Sequence, residues 1–242
     1  EVVFDLMEHC RKIGVKSVQF NGQDEPTLYP DLIKVLRYAS NLGFDDIFFN
    51  TNGSKLNKEY AADLIESGLT KLQISIDAFS KETYFKVRKK RNYEQIVKNI
   101  LSLIESREKR KKQLPLIRVS FVVNEFNFHE VEPFKEFWQD KVDFIGIQNL
   151  FNIHNTNVED RKELKEVRCN MPYFRMMVKA DGSVKPCCTG FGDRLDSFGN
   201  IHENKLQAIW NSKRLKNFQK MHRNYRWMDN KVCEICVKSV ES

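Results

Sequence analysis

No apolar run in the 242 residues approaches the length of a membrane span, and the opening residues lack the pattern of a signal peptide. Internal repeats and low-complexity tracts are absent too, so neither a solenoid nor a disordered linker is expected. The six cysteines form an even set, yet a chain of this length can bury a full core without disulfide staples. The expectation is a cytoplasmic protein. Lys and Arg number 40 against 33 Asp and Glu, a formal net charge of +7, but aromatic residues do not interleave with the basic run as a base-stacking surface requires. That run, Arg107-Glu108-Lys109-Arg110-Lys111-Lys112, ends a predicted helix, where cations suit the helix dipole and a solvated tail accounts for them. Neither a membrane nor nucleic acid is the expected partner.

What the chain does contain is a group of cysteines toward its C-terminal end: Cys169, Cys187 directly after Gly182-Ser183-Val184-Lys185-Pro186, and the pair Cys233 and Cys236. Two residues between Cys233 and Cys236 let both sulfurs reach one metal from a single turn, and Cys169 and Cys187 can close the shell from a second element. One metal centre is expected, tetrahedral in sulfur or an iron–sulfur cluster. Cys188 adjoins Cys187, and neighbours in an extended strand point to opposite faces, so Cys187 is the preferred ligand. Cys10 shares a helical stripe with Val2, Val3, Leu6, Met7 and Ile13 and reads as a small core hydrophobe. His129 and His154 read as structural or solvated. The competing function for the same cysteines is a non-catalytic zinc knot that binds an acidic partner or nucleic acid.

Five strand-like runs, 17–20, 46–50, 71–76, 117–123 and 144–148, alternate with helical patterns, an order that builds a parallel sheet with helices outside it. Pro30 and Asp31 open a predicted helix to about residue 40, with Leu32, Ile33, Leu36 and Tyr38 as its apolar positions. Asn57 and Ser80 are the predicted caps of two more. A long helix over 93–110 should bury Ile96, Val97, Ile100, Leu101 and Ile104. Residues 1–150 form one predicted domain, 151–165 a polar connector, and 166–242 a small Cys-bearing module. That module should hold a hairpin at Ala180-Asp181-Gly182, a helix over 205–221, and Tyr173, Phe174 and Trp210 packed around its metal. The first helical stripe is already running at Val2 with no strand ahead of it, so a preceding βα element is expected in the complete protein.

In parallel α/β structures ligands gather at the carboxyl ends of the strands. The loops there read Asn21-Gly22-Gln23-Asp24-Glu25-Pro26-Thr27-Leu28, Asn50-Thr51-Asn52-Gly53 and Ser75-Ile76-Asp77-Ala78. Each is polar beyond the needs of a turn. Together they bring acceptors, backbone carbonyls and glycines to one rim that suits a ligand with an amine, a ribose and a carboxylate.

These loops, with Glu82-Thr83-Tyr84 and Arg88 after the third, resemble successive motifs of radical S-adenosylmethionine (radical SAM) enzymes. The segment from Cys169 through Asp181-Gly182-Ser183-Val184-Lys185-Pro186-Cys187, Gly199-Asn200-Ile201, Ile209-Trp210 and Cys233-x-x-Cys236 resembles the SPASM domain, which carries auxiliary iron–sulfur clusters in that superfamily. The resemblance implies an α/β fold: a partial (β/α)6 TIM-like barrel lacking its first strand, followed by the cluster domain. It implies that Gly22, Asp24, Glu25 and Pro26 receive the amino group of S-adenosylmethionine, with Asn52 on the same rim and Ser75 and Asp77 near the ribose. Arg88 would meet the methionine carboxylate or form a surface ion pair.

By the same resemblance, Cys169, Cys187, Cys233 and Cys236 would hold an auxiliary [4Fe–4S] cluster. The superfamily's C-x-x-x-C-x-x-C, which holds the [4Fe–4S] cluster that cleaves S-adenosylmethionine, is absent from these residues and is expected in the preceding element. Asp24 stands where the superfamily usually has glycine, which puts cofactor affinity in question. The implied chemistry is hydrogen abstraction by a 5′-deoxyadenosyl radical, with electrons from flavodoxin or ferredoxin. The implied substrate is a peptide, then a sugar or other small molecule.

Overall fold

The computed structural model describes residues 1–22, 24–150, 169–188 and 194–240. The chain divides into two compact units, Glu1–Leu150 and Phe151–Ser242. The predicted connector, 151–165, lies outside the described residues, as does His154.

The first unit carries five strands: β1 (Ser17–Gln19), β2 (Asp46–Thr51), β3 (Lys71–Ser75), β4 (Leu116–Val123) and β5 (Phe144–Asn149). They pair in sequence order, every pair parallel. The helices are α1 (Val2–Lys12), α2 (Leu32–Asn41), α3 (Lys58–Ile65), α4 (Lys81–Arg88), α5 (Tyr93–Lys109) and α6 (Val131–Trp138). Successive right-handed crossovers that always step in one direction place every helix on the same face of the sheet. The register shows the result. Phe49 stands opposite Leu72 and Leu72 opposite Ile117, while Ile74 stands opposite Val119. All five are fully buried and share one core with α2, α3, α5 and α6. The alternate positions run Asn50, Gln73 and Arg118 in one row and Ser75, Ser120 and Gly146 in the next. That second face is polar.

Local chemistry sets the helix starts. The Asn57 side chain accepts from Tyr60 N–H and that of Ser80 from Thr83 N–H, as expected for caps. Asp31 begins α2 without a side-chain capping bond. Two predicted stripes are rotated in the fold. In α5 the buried positions are Ile96, Asn99, Ile100, Leu103, Ile104 and Arg107. Val97 and Leu101 instead line a shallow groove of about 710 Å³ with Phe79, Tyr93 and Phe137 on the outer side of the unit. In α1 Met7 is the buried residue and Val2 is exposed; Cys10 is half-buried against the core.

The basic run is also not uniformly a solvated tail. Arg107 is buried, and its guanidinium donates to Pro115 C=O at 2.8 Å and to Asp143 Oδ2 at 2.5 Å, while the same carboxylate oxygen accepts from Ile117 N–H. Lys109 and Lys112 do lie on the surface, paired with Glu105 and Glu66.

The described part of the second unit is mainly helical, with one short hairpin. Short helix α7 (Met171–Phe174) precedes the hairpin β6 (Met177–Val178) and β7 (Val184–Lys185), which pair antiparallel across the predicted Asp-Gly turn. Gly182 has φ +79°, and a Cβ there would lie 2.5 Å from His202, so the turn excludes larger residues. The single helix expected over 205–221 is two, α8 (Leu206–Trp210) and α9 (Lys213–Arg223). Ser212 breaks it by adopting extended geometry and capping Leu215 N–H. The last helix is α10 (Lys231–Val240). The residues packed here are Trp227, Phe218, Leu195 and Val237 with Cys187 and Cys233. Phe174, expected among them, is 59% exposed. Trp210 is outside this cluster, with the Lys216 ammonium over its ring, and Tyr173 contributes through a hydrogen bond from its hydroxyl to Gln219 C=O.

Removing Arg107 should separate these two readings of the basic run. Arg107→Ala is expected to cost about 2 kcal/mol, below the 3–5 of a fully buried pair because the Asp143 side chain is 25% exposed. Lys111→Ala should stay within about 0.5 kcal/mol. Urea unfolding checks both, and equal midpoints would show that Arg107 is no more than a surface charge.

A second tie is Glu130, 7% exposed, which accepts from Phe79 N–H at 2.7 Å and from the backbone and hydroxyl of Ser80. Burial pushes its carboxyl up, but the donors on Ser80, Phe79 and Thr83 outweigh that and hold it below the ordinary value. Its contribution is therefore complete above the unfolded carboxyl pKa and lost as pH falls through the lower folded one. Glu130→Gln should flatten this part of the acid limb in unfolding measured against pH; an unchanged limb would rule the tie out.

Candidate functional site

The loops after β1, β2 and β3 are built from side chains that accept backbone N–H groups. Asn21 Oδ1 accepts from Asn50 N–H at 2.8 Å. Glu25 is more fully engaged: its carboxylate takes Thr27 N–H and hydroxyl, the Thr51 hydroxyl at 2.5 Å and Asn52 N–H at 2.7 Å. Both residues tie the first loop to the end of β2. Asn52 Oδ1 in turn accepts from Ser54 N–H, closing a tight turn at Gly53. Gly53 has φ +77°, and a Cβ would press on Ile74 and Ile96 at 3.1 and 3.2 Å, so glycine is required twice over. Asn99 from α5 donates to its carbonyl.

Gly22 and Asp24 are exposed, and Glu25 and Pro26 half-buried, in the same loop. An added Cβ at Gly22 meets nothing closer than 4.0 Å, so room for a ligand rather than local crowding distinguishes that glycine.

Ser75 ends β3 with its hydroxyl 3.4 Å from that of Ser120 on the polar face. Asp77 follows with φ +59° and only 5% of its surface exposed. Its Oδ1 accepts from Val122 N–H at 2.8 Å, its Oδ2 pairs with Arg88 at 2.5 Å, and its carbonyl accepts from Asn127. Burial pushes the Asp77 carboxyl up, opposed by the Arg88 guanidinium and the Val122 N–H. Asp77 thus locks the third loop to β4, and Arg88, expected to meet a ligand carboxylate or form a surface ion pair, is joined to Asp77. Arg88 Nε is buried with no hydrogen-bond partner among the described residues.

Sequence patterning passed over one residue here. Arg118 projects from β4 onto the polar face, and its guanidinium lies across Gly146, where a Cβ would come within 2.2 Å of it. Among the described residues no acidic side chain pairs with it. The signal was present as a charged residue inside a largely apolar strand.

In the second unit, Asn230 Oδ1 accepts from Val232 and Cys233 N–H and opens α10 so that Cys233 and Cys236 lie one turn apart on one face. Cys187 follows β7 and Cys169 precedes α7. All six cysteines are free thiols. Burial pushes the Cys233 thiol up strongly, and Cys187, Cys236 and Cys169 each add to the rise. Cys233 is thus within electrostatic reach of the other three cysteines singled out from the sequence, and Cys169 is also raised by Cys188. Cys188 is exposed, whereas Cys187 is buried. Burial also raises Cys169, with Met171 N–H opposing. His129 is exposed beside Phe128.

His222, which the sequence did not single out, comes from α9 to place Nε2 3.5 Å from Cys233 Sγ. Burial holds its imidazole below the ordinary value.

Among the described residues no three His, Cys, Asp or Glu side chains form a compact shell for one ion. Cys187 and Cys233, packed in one buried cluster, with Cys169 and Cys236 acting electrostatically on Cys233, are donors of the type that would hold an iron–sulfur cluster. The rim likewise fits S-adenosylmethionine, because its anchoring side chains are satisfied internally and leave loop backbone, Ser75 and the polar sheet face toward a ligand.

Comparison with known proteins agrees. Residues 1–137 match the radical SAM superfamily, and residues 169–237 match SPASM, an iron–sulfur cluster-binding domain. A probable GTP 3′,8-cyclase of Saccharolobus solfataricus is 34% identical over 165 residues, 65% of this chain and 50% of that protein. One from Methanothermobacter thermautotrophicus is 30% identical over 162 residues, 64% of this chain and 50% of that protein. The chain spans about half the length of these curated relatives.

Among solved structures, anSMEcpe with bound AdoMet aligns with TM-score 0.68 at 16% identity, covering 98% of this chain and 78% of that one. BtrN in complex with AdoMet and 2-DOIA aligns at 0.60 and 17%, covering 96% and 78%. These likenesses show the fold. A parallel sheet in sequence order with a Cys-bearing module after it, matched over more than half the chain, places this chain in the radical SAM superfamily, with a C-terminal SPASM iron–sulfur cluster-binding domain.

Proposed function

We propose that the protein containing this chain modifies or oxidises a peptide by radical chemistry, using the first unit to hold S-adenosylmethionine and the second to hold an auxiliary cluster. The observation that carries this reading is the packing of Cys187 and Cys233 in one buried cluster of the second unit, with the Cys233 thiol pushed up by burial and further by Cys187, Cys236 and Cys169. S-adenosylmethionine, when bound and reduced, supplies a hydrogen-abstracting carbon radical, and the protein's part is binding, orientation and exclusion of water.

Each group has a role in this reading. The backbone of Gly22, Asp24, Glu25 and Pro26 receives the cofactor's amino group, and Asn52 borders it. Ser75 and Asp77 stand toward the ribose. Arg88 steadies Asp77 and offers Nε toward the carboxylate. Cys169, Cys187, Cys233 and Cys236 ligate the auxiliary [4Fe–4S] cluster, which accepts an electron from the substrate or anchors it. A second [4Fe–4S] cluster on a preceding segment cleaves the cofactor, and a flavodoxin or ferredoxin reduces it. Free thiols and iron–sulfur chemistry suit the cytoplasm.

One observation favours a second substrate class. Arg118, unpaired by any acidic side chain among the described residues and held across Gly146, suits an anionic small molecule such as a phosphorylated nucleoside or sugar. Mass spectrometry of products formed from candidate peptides and from nucleotides by the complete protein decides between them, and turnover of nucleotides alone would displace the peptide reading.

Anaerobic reconstitution tests the ligand set. This chain should turn brown and take up about four iron and four sulfide. Cys187→Ser should lose most of that iron and Cys188→Ser keep it; the reverse pattern, or stoichiometric zinc in a colourless protein, overturns the assignment.

Glu25→Ala should free the Thr51 hydroxyl and Asn52 N–H and loosen the first loop from β2. With charged hydrogen bonds contributing about 1.5–3 kcal/mol, S-adenosylmethionine binding by the complete protein should weaken by about tenfold or more. Calorimetric titration measures it, and unchanged affinity would remove Glu25 from the architecture of the site.

A further inference from the structure

His222 occupies a position that an apolar side chain would fill at lower cost. It is 1% exposed, within the unit whose core is formed by Cys187, Leu195, Phe218, Trp227, Cys233 and Val237. Burying an imidazole there carries a desolvation penalty that Leu or Phe would not. Its ring is held in place by packing: Phe218, one turn earlier on α9, meets it edge-on with centroids 4.9 Å apart, and Phe198 meets Phe218 at 5.2 Å. The outcome of this orientation is one polar contact, Nε2 to Cys233 Sγ at 3.5 Å.

The other ring nitrogen decides which way that contact runs. Nδ1 is buried with no hydrogen-bond partner among the described residues. A buried N–H without an acceptor is costlier and rarer than a buried acceptor without a donor. The proton therefore belongs on Nε2, where it points at sulfur, and Nδ1 keeps its lone pair. A thiolate of a metal centre is a better acceptor than a thiol, so the contact strengthens when Cys233 is a ligand.

We propose that His222 donates its Nε2–H to the Cys233 sulfur of the C-terminal iron–sulfur cluster and thereby raises that cluster's reduction potential. The inference rests on the four-cysteine ligand set assigned above. Its physical basis is charge: adding an electron makes cluster and sulfurs more negative, so a fixed donor stabilises the reduced state more than the oxidised one. His222 acts through Cys233 and is a positioning residue, outside the ligand set. An auxiliary cluster held at higher potential is a better acceptor for an electron leaving a substrate.

The test uses this chain, reconstituted anaerobically as wild type, His222→Phe and His222→Gln, with iron and sulfide assayed and the potential read by EPR-monitored redox titration. Phe keeps the edge-on packing without a donor, and Gln keeps an N–H within similar reach. All three are expected to load equal iron. His222→Phe should be about tenfold harder to reduce, about 59 mV lower for a one-electron couple, and His222→Gln should stay near wild type. Equal potentials in wild type and His222→Phe at full loading would overturn the proposal.

Pulsed EPR of wild type with labelled histidine provides a reading independent of how the variants fold. A weakly coupled exchangeable proton is expected. A strong nitrogen coupling, or iron lost in both variants, would make His222 a ligand and overturn the donor role. Failure of wild type to take up iron would instead refute the cluster assignment itself, and this inference with it.

Discussion

The constraint on which the first unit depends is the direction of its crossovers. Five parallel strands in the order β1 to β5 give the helices only one side of the sheet, and one side is all that the apolar residues cover. In a doubly wound sheet both faces would be buried and the strands would read as unbroken apolar runs. Here alternation survives, and the second face carries Asn50, Gln73, Ser75, Arg118 and Ser120. A polar face bordered by the carboxyl ends of parallel strands is where an α/β protein places its ligands. The site is thus a consequence of strand order before it is a consequence of any one residue.

A second regularity holds the rim together. Glu25, Asp77 and Glu130 are acidic residues in the connections after strands, and all three direct carboxylate oxygens at backbone N–H groups of a neighbouring segment, a loop for Glu25 and Glu130 and strand β4 for Asp77. Each joins two segments far apart in sequence. These ties fix the backbone of each loop, and several of its carbonyls are engaged as well: Glu25 C=O accepts from Leu28 N–H, Pro26 C=O from Tyr29 N–H and Asp77 C=O from Asn127. The acidic residues nearest the candidate cofactor position therefore act first as structural ties, and the ligand meets the backbone they arrange.

The second unit follows a different logic. Among its described residues the strands are two residues long, and the apolar cluster is small and includes two of the four candidate ligands. A module with so little core gains much of its order from a metal centre, because binding free energy is then folding free energy. In the proposed ligand set Cys187 and Cys233 would serve as packing and as ligands at once. His222 lies at the same junction, packed by Phe218 and directed at sulfur.

Much of this was legible in the order of residues. The five strands were readable because apolar runs of strand length recur between helical patterns, and Asn57 and Ser80 marked helix starts because a short polar side chain before an amphipathic run has one common use. The cysteine set was readable because thiols at ligand spacing are costly to keep otherwise. Side-chain neighbours across the fold were not. Arg107 looked like one cation in a solvated run until the end of α5 brought it against Asp143 and Pro115. Val97 and Leu101 fitted the apolar period of α5, yet the sheet met the helix along Asn99, Leu103 and Arg107 instead. His222 gave no local signal, since its partner is eleven residues away on another helix. Sequence alone determined most element types and the parallel class, because those follow from period and composition. Tertiary structure alone decided which face stayed polar, which charges became ties and which histidine met sulfur, because those depend on contacts between segments that no local pattern encodes.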